Sequence, residues 1–335
     1  MKFLAAGNAI CDIICQVEDE FLAKHQLAKA SMQLCDDQKS AAILADLASD
    51  EKLIASGGSA ANTANYLSAY GLEVGFIGNV ADGFYGRKFK TDLDKNNINF
   101  FNTHQEDDAV SAKSVILVTP DGERTMCTSL GCAATLHQSQ LDLTALAQAD
   151  LFYIEGYLWD QQGTNQLILA LCQQVKASGG NNVFSLADAF CVKRHLEDFK
   201  KLCVEHIDIV FGNESEFQAL FAKEVLDQKA LEEIQAVLPE LNVELMIITL
   251  SGAGVVLITE QRIITVATTK LQAVDTTGAG DSFAAGFLYG YLQEMSLKDA
   301  AKLGNYLAGQ VIMNLGARPE INLITDPASI PHAAA

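Results

Sequence analysis

The stretch from Asp275 to Gly286 combines residue types that bind and transfer phosphate. Gly278 and Gly280 enclose a turn too tight for side chains, and the uncharged, proline-free run 282–292 behind them predicts a helix. The start of such a helix presents unpaired N–H groups, and the positive end of its dipole, to an anion. Asp281 lies in the first turn, where its carboxylate can take a proton from a hydroxyl that attacks the phosphate. The stretch therefore predicts phosphoryl transfer.

A second glycine motif, Gly57-Gly58, is followed by small residues and also precedes a predicted helix. Glycines here let a backbone approach a ligand closely, although small residues serve close helix packing equally well. Asn62 favours ligand binding slightly, because an amide near a helix start can donate to a polyol and accept from it. Asp12, in an otherwise apolar run, is either a turn residue or a carboxylate that accepts hydrogen bonds from ligand hydroxyls.

An alternation of apolar runs and helical patterns must position these motifs. Strands are predicted at 3–6, 74–80, 151–154, 182–186, 207–211 and 245–250, with helices between most of them, including one at about 192–203. This alternation is typical of a doubly wound α/β fold with a mostly parallel sheet, whose ligands lie beyond the carboxyl ends of the strands. Tyr157, Asp188, Asn213 and Asp281 follow strands or begin helices, so we expect them at that edge.

The pattern changes to strand, turn and strand between Val110 and Leu130, with the turn at 120–123. An inserted hairpin beside an α/β domain is a candidate lid. Arg124 begins the second strand, where it is either a solvated charge or a lid arginine that reaches the transferring phosphate on closure. The predicted division is a large α/β domain at 1–12, 56–108 and 131–335, and a small β-sheet lid at 13–55 and 109–130.

Composition limits the classes of partner. The chain of 335 residues has a net charge of −19, which disfavours nucleic acid and anionic membrane surfaces because both would repel it. Asp12 interrupts the apolar N-terminus, and no apolar run is long enough to span a membrane. The eight cysteines form no CxxC pair, as expected of free thiols in a reducing compartment. We therefore expect a cytoplasmic protein with small-molecule ligands.

Other nucleotide motifs fit the sequence less well. The chain contains no GxxxxGK[ST], which disfavours a P-loop kinase or GTPase. Gly252-Ala253-Gly254 lies between two apolar runs instead of opening a helix, and Gly278-Ala279-Gly280 lacks a further glycine at the required spacing. A dinucleotide-dependent hydride-transfer enzyme is thus a weak alternative.

Three motifs resemble, in order and spacing, those of the ribokinase-like (PfkB) carbohydrate and nucleoside kinases. They are GGSAAN at 57–62, NESE at 213–216 and DTTGAGD at 275–281. Within that family the runs GNAICDI at 7–13 and YIEGY at 153–157 are most similar to adenosine kinases. The resemblance implies an ATP-dependent, magnesium-requiring kinase that transfers the γ-phosphate to a primary hydroxyl of a nucleoside.

The resemblance also implies roles for individual residues. The catalytic base is Asp281, and the backbone of Gly278, Ala279 and Gly280 forms the anion hole. The positions that match the substrate site are Asn8, Asp12, Gly57, Gly58 and Asn62 at the sugar hydroxyls, Leu130 and Tyr157 along the base, and Arg124 in the lid. The positions that match the ATP site are Asn213, Thr249, Ser251, Gly252, Gly254 and Asn305, with Ser251 standing where a glycine is common.

Two cation sites are implied in the same way. Glu216 matches the position that organises magnesium, held through water because magnesium keeps several of its waters. A helix start rich in acids for dipole reasons would explain Glu216 equally well, but not Asn213. Asp275 and Thr277 resemble the monovalent-cation (K⁺) site of many members.

An apolar wall at Leu130 and Tyr157 suits a purine, which favours adenosine as the acceptor. One alternative is a sugar kinase for ribose, fructose or a related polyol, because the catalytic motif is shared. Another is a nucleotide- or sugar-binding protein that kept the fold and lost catalysis, which intact Asp281 disfavours. Family members with such lids are monomers or homodimers, and both states stay open here.

Overall fold

The computed structural model describes residues 1–47, 52–103, 109–138, 141–160 and 164–330. The predicted segments 13–55 and 56–108 include residues 48–51 and 104–108, which lie outside that description. The described residues contain no helix that could span a membrane. None of the eight cysteines, all of which lie within the described residues, forms a disulfide bond.

Strands and helices alternate along most of the described chain. In order, the strands are β1 (Phe3–Ala6), β2 (Ile10–Gln16), β3 (Met32–Leu34), β4 (Leu53–Ser56), β5 (Val74–Gly78), β6 (Ile98–Asn102), β7 (Ala112–Val118), β8 (Arg124–Ser129), β9 (Leu151–Glu155), β10 (Asn181–Ser185), β11 (Ile209–Asn213), β12 (Leu245–Thr249), β13 (Val255–Ile258) and β14 (Ile263–Val266). The α-helices are α1 (Asp19–Lys24), α2 (Asp37–Asp46), α3 (Ser59–Ala69), α4 (Phe84–Lys95), α5 (Leu143–Leu146), α6 (Thr164–Ala177), α7 (Ala189–Arg194), α8 (Leu196–His206), α9 (Glu214–Phe221), α10 (Gln228–Leu241), α11 (Ala279–Leu292) and α12 (Leu297–Ile312).

Nine strands form the large sheet, in the order β14-β13-β12-β11-β10-β9-β1-β5-β6. Pairing is parallel from β6 to β12, and β13 and β14 extend the sheet as antiparallel strands. The chain runs from β1 to β5 and β6 on one side and later returns to β9 on the other, so strand order reverses beside β1. The structure confirms the predicted doubly wound, mostly parallel α/β fold, whose ligands bind at such reversal points.

Two apolar layers cover this sheet because its buried strands present hydrophobic side chains to both faces. Phe3 and Ala5 of β1 point into a cluster with α3, α4, α11 and α12. Leu4 and Ala6 point to the opposite cluster, which α5 to α10 complete. Full burial of one such large side chain contributes about 1.5–3 kcal/mol. The sheet is therefore a rigid platform for loops at its carboxyl edge.

A smaller sheet has the strand order β3-β8-β7-β2-β4. The predicted hairpin is present as β7 and β8, whose antiparallel register pairs Val118 with Arg124 next to the turn. β2 begins at Ile10, so residues 10–12 pair in the small sheet although the predicted boundary follows residue 12. An apolar cluster that includes Ile13 and Val115 packs under α1 and α2. The opposite face, which carries Asp12, is left for the site.

Candidate active site

The turn before α11 has the geometry of an anion-binding helix start. Gly278 is the N-cap residue with φ 75° and ψ 6°, a left-handed conformation that glycine adopts without strain. A Cβ on Gly278 would lie 2.8 Å from the Cβ of Ala317, so space as well as conformation requires glycine. Ala279, Gly280 and Asp281 line a cavity of about 580 Å³, which is the nucleotide cavity of the following paragraphs. The N–H of Ala279 donates to the carbonyl of Thr276 at 3.2 Å. The N–H groups of Gly280 and Asp281, in the first helical turn, have no intrahelical partner and are available to an anion there.

Two hydrogen bonds fix the carboxylate of Asp281. Ser59 Oγ donates to Oδ1 at 2.7 Å, and Asn62 Nδ2 donates to Oδ2 at 2.8 Å. Burial raises the pKa of Asp281 above its ordinary value, while these two bonds and the charge of Arg318 oppose that rise. Each oxygen keeps a lone pair, so the carboxylate is oriented and still able to accept a proton.

Arg318, which the sequence did not single out, extends this network. Its Nε donates to Asn62 Oδ1 at 2.7 Å, its Nη1 to Ser56 Oγ at 2.7 Å, and its Nη2 to the carbonyl of Gly57 at 3.2 Å. The predicted residue Asn62 is thus bonded at both ends of its amide, to Asp281 and to Arg318. Its role in the structure is to connect charged groups, and its role toward a ligand hydroxyl stays a prediction.

The predicted sugar-hydroxyl residues lie where two backbone segments approach closely. A Cβ on Gly57 would lie 2.2 Å from Asp12 Oδ2, and a Cβ on Gly58, whose φ is 91°, would lie 2.4 Å from the carbonyl oxygen of Asn8. Glycine is therefore required at both positions by the close approach to Asp12 and Asn8, and not merely by helix packing. Burial raises the pKa of Asp12 to about 6, with Arg318 opposing the shift and Asp281 adding to it.

Asn8 is held by a second residue that the sequence did not single out, Glu155 at the end of β9. Glu155 is 1% exposed and accepts from the backbone N–H groups of Asn8 at 2.6 Å and Ala60 at 2.9 Å. Burial raises the pKa of Glu155 to about 7. The side-chain Oδ1 of Asn8 is buried and has no hydrogen-bond partner among the described residues. A ligand hydroxyl is the kind of group that would satisfy it.

The predicted base-wall residues lie in two short turns after strands. Leu130 precedes the 3₁₀ turn at 131–134 that follows β8, and Tyr157 lies in the 3₁₀ turn at 156–160 that follows β9. Burial and then the charge of Asp188 hold the pKa of Tyr157 well above its ordinary value. Neither residue lines the nucleotide cavity. Their contact with a base stays a prediction.

All six predicted ATP residues line the nucleotide cavity together with Asp281. They are Asn213, Thr249, Ser251, Gly252, Gly254 and Asn305. Ser251 adopts φ 48° at the start of the 3₁₀ turn at 251–253, so a serine occupies the left-handed backbone that glycine adopts more easily. Gly254 has φ 102°, and a Cβ there would lie 2.1 Å from the carbonyl oxygen of Val266. Glycine is therefore required in this turn at Gly254, three positions after Ser251, whereas a Cβ on Gly252 would meet only the side chain of Lys270 at 4.0 Å.

Glu216 and Asn213 form a capping box at the start of α9. Asn213 Oδ1 accepts from the N–H of Glu216 at 3.0 Å, and Glu216 accepts from the backbone N–H of Asn213 at 2.9 Å and from its Nδ2 at 2.6 Å. Burial raises the pKa of Glu216 to about 8; the bond from the Asn213 backbone opposes this, and the charge of Asp188 adds to it. Among the described residues, no cationic side chain contributes to that pKa. Glu216 lies on the cavity wall with the charge of Asp188 nearby, and this pair of carboxylates suits a hydrated divalent cation, which would offset their charge.

Arg124 of β8 occupies the predicted monovalent-cation position. Its guanidinium donates to Asp275 Oδ2 and to Thr277 Oγ1. Asp275 also accepts from the N–H groups of Thr277 at 2.9 Å and Gly316 at 2.6 Å, and its side chain is 2% exposed. A potassium ion does not fit these groups while the Arg124 guanidinium is bound. The predicted potassium site would require the small sheet to move Arg124 away, and it stays a prediction.

Arg124 also lines a second cavity, of about 550 Å³, together with Asp12, Thr277 and Arg318. Asp281 borders the nucleotide cavity, whereas Asp12 borders this second one. The chain of bonds from Arg318 through Asn62 to Asp281 connects the walls of the two spaces. The arrangement suits a donor on one side and an acceptor on the other.

Comparison with known proteins gives consistent matches. A family model described as pfkB family carbohydrate kinase matches residues 49–322. The solved structure of a probable sugar kinase from Rhizobium etli is 36% identical, with a TM-score of 0.85, and covers 96% of this chain and 95% of that one. The structure of adenosine kinase from Sinorhizobium meliloti is 36% identical, with a TM-score of 0.86, and covers 96% of both chains. An uncharacterised sugar kinase from Archaeoglobus fulgidus is 27% identical over 257 residues, 75% of this chain and 96% of that protein.

Proposed function

Because the chain belongs to the pfkB family of carbohydrate kinases, which are phosphotransferases acting on hydroxyl groups, we propose that it transfers the γ-phosphate of ATP to the primary hydroxyl of a nucleoside, with adenosine preferred. The observation that carries the proposal is the oriented carboxylate of Asp281 at the start of α11. An oriented base next to an anion-binding helix start is what attack of a hydroxyl on a phosphate requires.

The nucleotide cavity supports ATP as the donor. Its volume of about 580 Å³ lies within the range of small-molecule sites, about 300–1,000 Å³. The cavity is lined by Asn305 of α12, by the turn at 251–254, and by Ala279 and Gly280 at the start of α11. A nucleotide bound along this wall would place its terminal phosphate near Asp281.

Glu216 and Asn213 would hold magnesium through water. When bound, magnesium would offset the charge on the phosphates. Burial raises the pKa of Glu216 to about 8, and a cation beside it would favour the ionised carboxylate. Uptake of magnesium should therefore be weaker at pH 6 than at pH 8.

The mechanism follows from the position of Asp281. One carboxylate oxygen accepts the proton of the acceptor hydroxyl as its oxygen attacks the γ-phosphorus, and the bond to the leaving ADP oxygen breaks in line. Backbone N–H groups at Gly280 and Asp281 stabilise the charge on the transferring phosphoryl group. The small sheet acts as a lid, with Arg124 as its contact to the loop that precedes the helix.

A nucleoside acceptor is supported by the groups around Asp12. Its carboxylate and the unsatisfied Oδ1 of Asn8 offer acceptors to the hydroxyls of a ribose. Tyr157 packs partly buried against the apolar layer of α5 to α10, and can offer a ring face to a base.

A sugar kinase is the second candidate. It is favoured by similarity to the Rhizobium and Archaeoglobus proteins, whose names describe sugar kinases. The hydroxyl-binding groups are common to both acceptors, so the base wall distinguishes them. A non-catalytic binding protein is disfavoured, because binding alone gives no reason to orient Asp281 with two hydrogen bonds.

The experiment is a panel of acceptors with ATP and magnesium, in which ADP formation is measured against a no-acceptor background. We expect adenosine to give the highest kcat/KM, with ribose and fructose lower. 5′-Deoxyadenosine, which lacks the acceptor hydroxyl, should raise the Tm by binding and yield no ADP above background. A free sugar with a higher kcat/KM than any nucleoside would refute the nucleoside assignment, and absence of transfer to every acceptor would refute the kinase.

A further inference from the structure

We propose that Arg318 is a positioning residue of this site, whose guanidinium orients Asn62 and through it Asp281, and ties the Ser56–Gly57 turn to the same unit. The role toward catalysis rests on the proposed kinase function. The contacts that carry it do not, since they belong to the protein without ligands.

The guanidinium bonds to two adjoining segments that each carry part of the site. Nη1 and Nη2 bind Ser56 and Gly57 at the end of β4, and Nε binds Asn62 in α3. Three N–H groups in one plane satisfy three acceptors, a task that the single ammonium of lysine cannot perform. The close approach of Gly57 to Asp12 is thereby held in the same unit as the catalytic base.

The bond to Asn62 also decides which way its amide points. Arg318 has only donors, so the atom of Asn62 that faces it must be Oδ1. The amide nitrogen is then directed at Asp281 Oδ2, where it donates at 2.8 Å. Without Arg318 the amide can rotate and present its oxygen to the carboxylate, which would repel it.

Charge gives Arg318 a second effect on Asp281. The titratable groups around that carboxylate come from four other parts of the chain, and they are Asp12 of β2, Tyr66 of α3, Tyr153 and Glu155 of β9, and Arg318 itself. Among these described groups Arg318 is the cation, and its charge lowers the pKa of Asp281 against the larger effect of burial. It likewise opposes the rise in the pKa of Asp12. The arginine therefore keeps both carboxylates ionised at a lower pH than burial alone would allow.

The variants Arg318→Met and Arg318→Lys separate these two effects. Methionine keeps the apolar stem and removes both the charge and the donors, while lysine keeps the charge and loses the planar fork. Arg318→Gln, which retains a donor amide, replaces the methionine variant if that chain does not fold. Arg262→Met, an exposed arginine in the turn between β13 and β14, is the matched control.

The readouts are kcat, KM for ATP and the pH dependence of kcat. For Arg318→Met we expect kcat to fall at least tenfold, KM for ATP to stay within about twofold, and the acidic limb of the profile to move up by about one pH unit. Arg318→Lys should return the limb to its wild-type position while kcat stays reduced. An unmoved limb in the methionine or glutamine variant would overturn the electrostatic role, and wild-type kcat in the lysine variant would overturn the orienting role.

A measurement without turnover separates this proposal from the kinase assignment. In protein labelled with ¹³C-aspartate, the Cγ resonance of Asp281, assigned by its loss in Asp281→Asn, reports the titration of that carboxyl group directly. We expect its midpoint to move up in Arg318→Met and not in Arg262→Met. If no acceptor is phosphorylated but the midpoint moves, the kinase proposal fails and the coupling of Arg318 to Asp281 holds. If the midpoint does not move, the proposed charge effect of Arg318 is wrong whatever the enzyme does.

Discussion

Replacing Asp281 by asparagine should remove most activity while leaving the protein at least as stable. The structure accommodates the amide, because Asn62 continues to donate to Oδ1 of the new residue and the hydroxyl of Ser59 can turn to accept from the new NH₂ group. The helix start and the nucleotide cavity keep their geometry. The loss is thus limited to proton transfer, which is worth about 10²–10⁴ in rate, or about 3–5 kcal/mol of barrier.

Stability should move in the opposite direction. Burial raises the pKa of Asp281 above its ordinary value of 3.8, so the ionised carboxylate is disfavoured in the folded state. The favourable contribution of a group with a raised pKa is complete below its unfolded value and is lost as pH rises through its folded value. A neutral asparagine avoids that loss, so the Tm of the variant should equal or exceed that of the wild type at pH 7.5, and the difference should shrink toward pH 4.

The assay is kcat for the best acceptor under saturating ATP, together with thermal unfolding at both pH values. The control is Asp198→Asn, an exposed acid in the first turn of α8, which should change neither. Turnover of Asp281→Asn within about fivefold of the wild type would refute the assignment of the base, which requires a loss of at least about 10². A large fall in Tm would show instead that the carboxylate is structural.

Three further changes test other parts of the site. For Glu155→Gln, the free energy of unfolding relative to the wild type should rise by about 3 kcal/mol as pH increases from 4.5 through about 7. The reason is that the raised pKa of Glu155 makes the wild-type contribution complete below pH 4.5 and lost above pH 7. Urea titrations at pH 5 and pH 8 measure this, and a pH-independent difference would contradict it. Gly57→Ala places a Cβ 2.2 Å from Asp12 Oδ2 and should raise KM for the acceptor at least about tenfold, whereas Gly83→Ala, with no atom within 4 Å, should not. Arg124→Met leaves buried Asp275 without its cation and should lower the free energy of unfolding by about 3 kcal/mol. KCl should restore the Tm of this variant more than choline chloride of equal ionic strength. Equal recovery in both salts would exclude a K⁺ site there.

Much of the fold was predictable from the sequence because buried parallel strands are apolar on both faces. The runs at 3–6, 151–154 and 245–250 correspond closely to β1, β9 and β12. The helical pattern at 192–203 predicted one helix, whereas the structure has α7 and α8 on either side of His195. Asp188 starts α7 by accepting from the N–H of Cys191 at 2.7 Å, so a local cap fixed a boundary that periodicity alone does not reveal.

The site residues also fall into two groups, those that a local sequence pattern predicts and those that only the tertiary fold brings together. Residues within the glycine motifs, such as Gly278 and Gly58, were predictable because glycines before a helical pattern are a local signal of a tight turn, although the contacts that exclude a side chain there, with Ala317 and Asn8, are distant in sequence. Glu155 carried a usable signal, since a charged residue that ends an apolar strand resembles the case of Asp12. Arg318 carried none, because its partners Asn62 and Ser56 lie 256 and 262 positions away and only the tertiary fold brings them together.

The central place of β1 in the large sheet has a consequence for how the protein is made. Phe3 of β1 pairs with Val74 of β5 and with Leu151 of β9, so its second neighbour is synthesised 148 positions later. At translation rates of about 5–20 residues per second, one edge of β1 stays unpaired for roughly 7–30 seconds. An open apolar edge of this kind is prone to aggregation and a natural target for chaperones. Since Asn8 follows β1 directly and Asp281 comes later still, a nascent chain can hold no working site until most of it has left the ribosome.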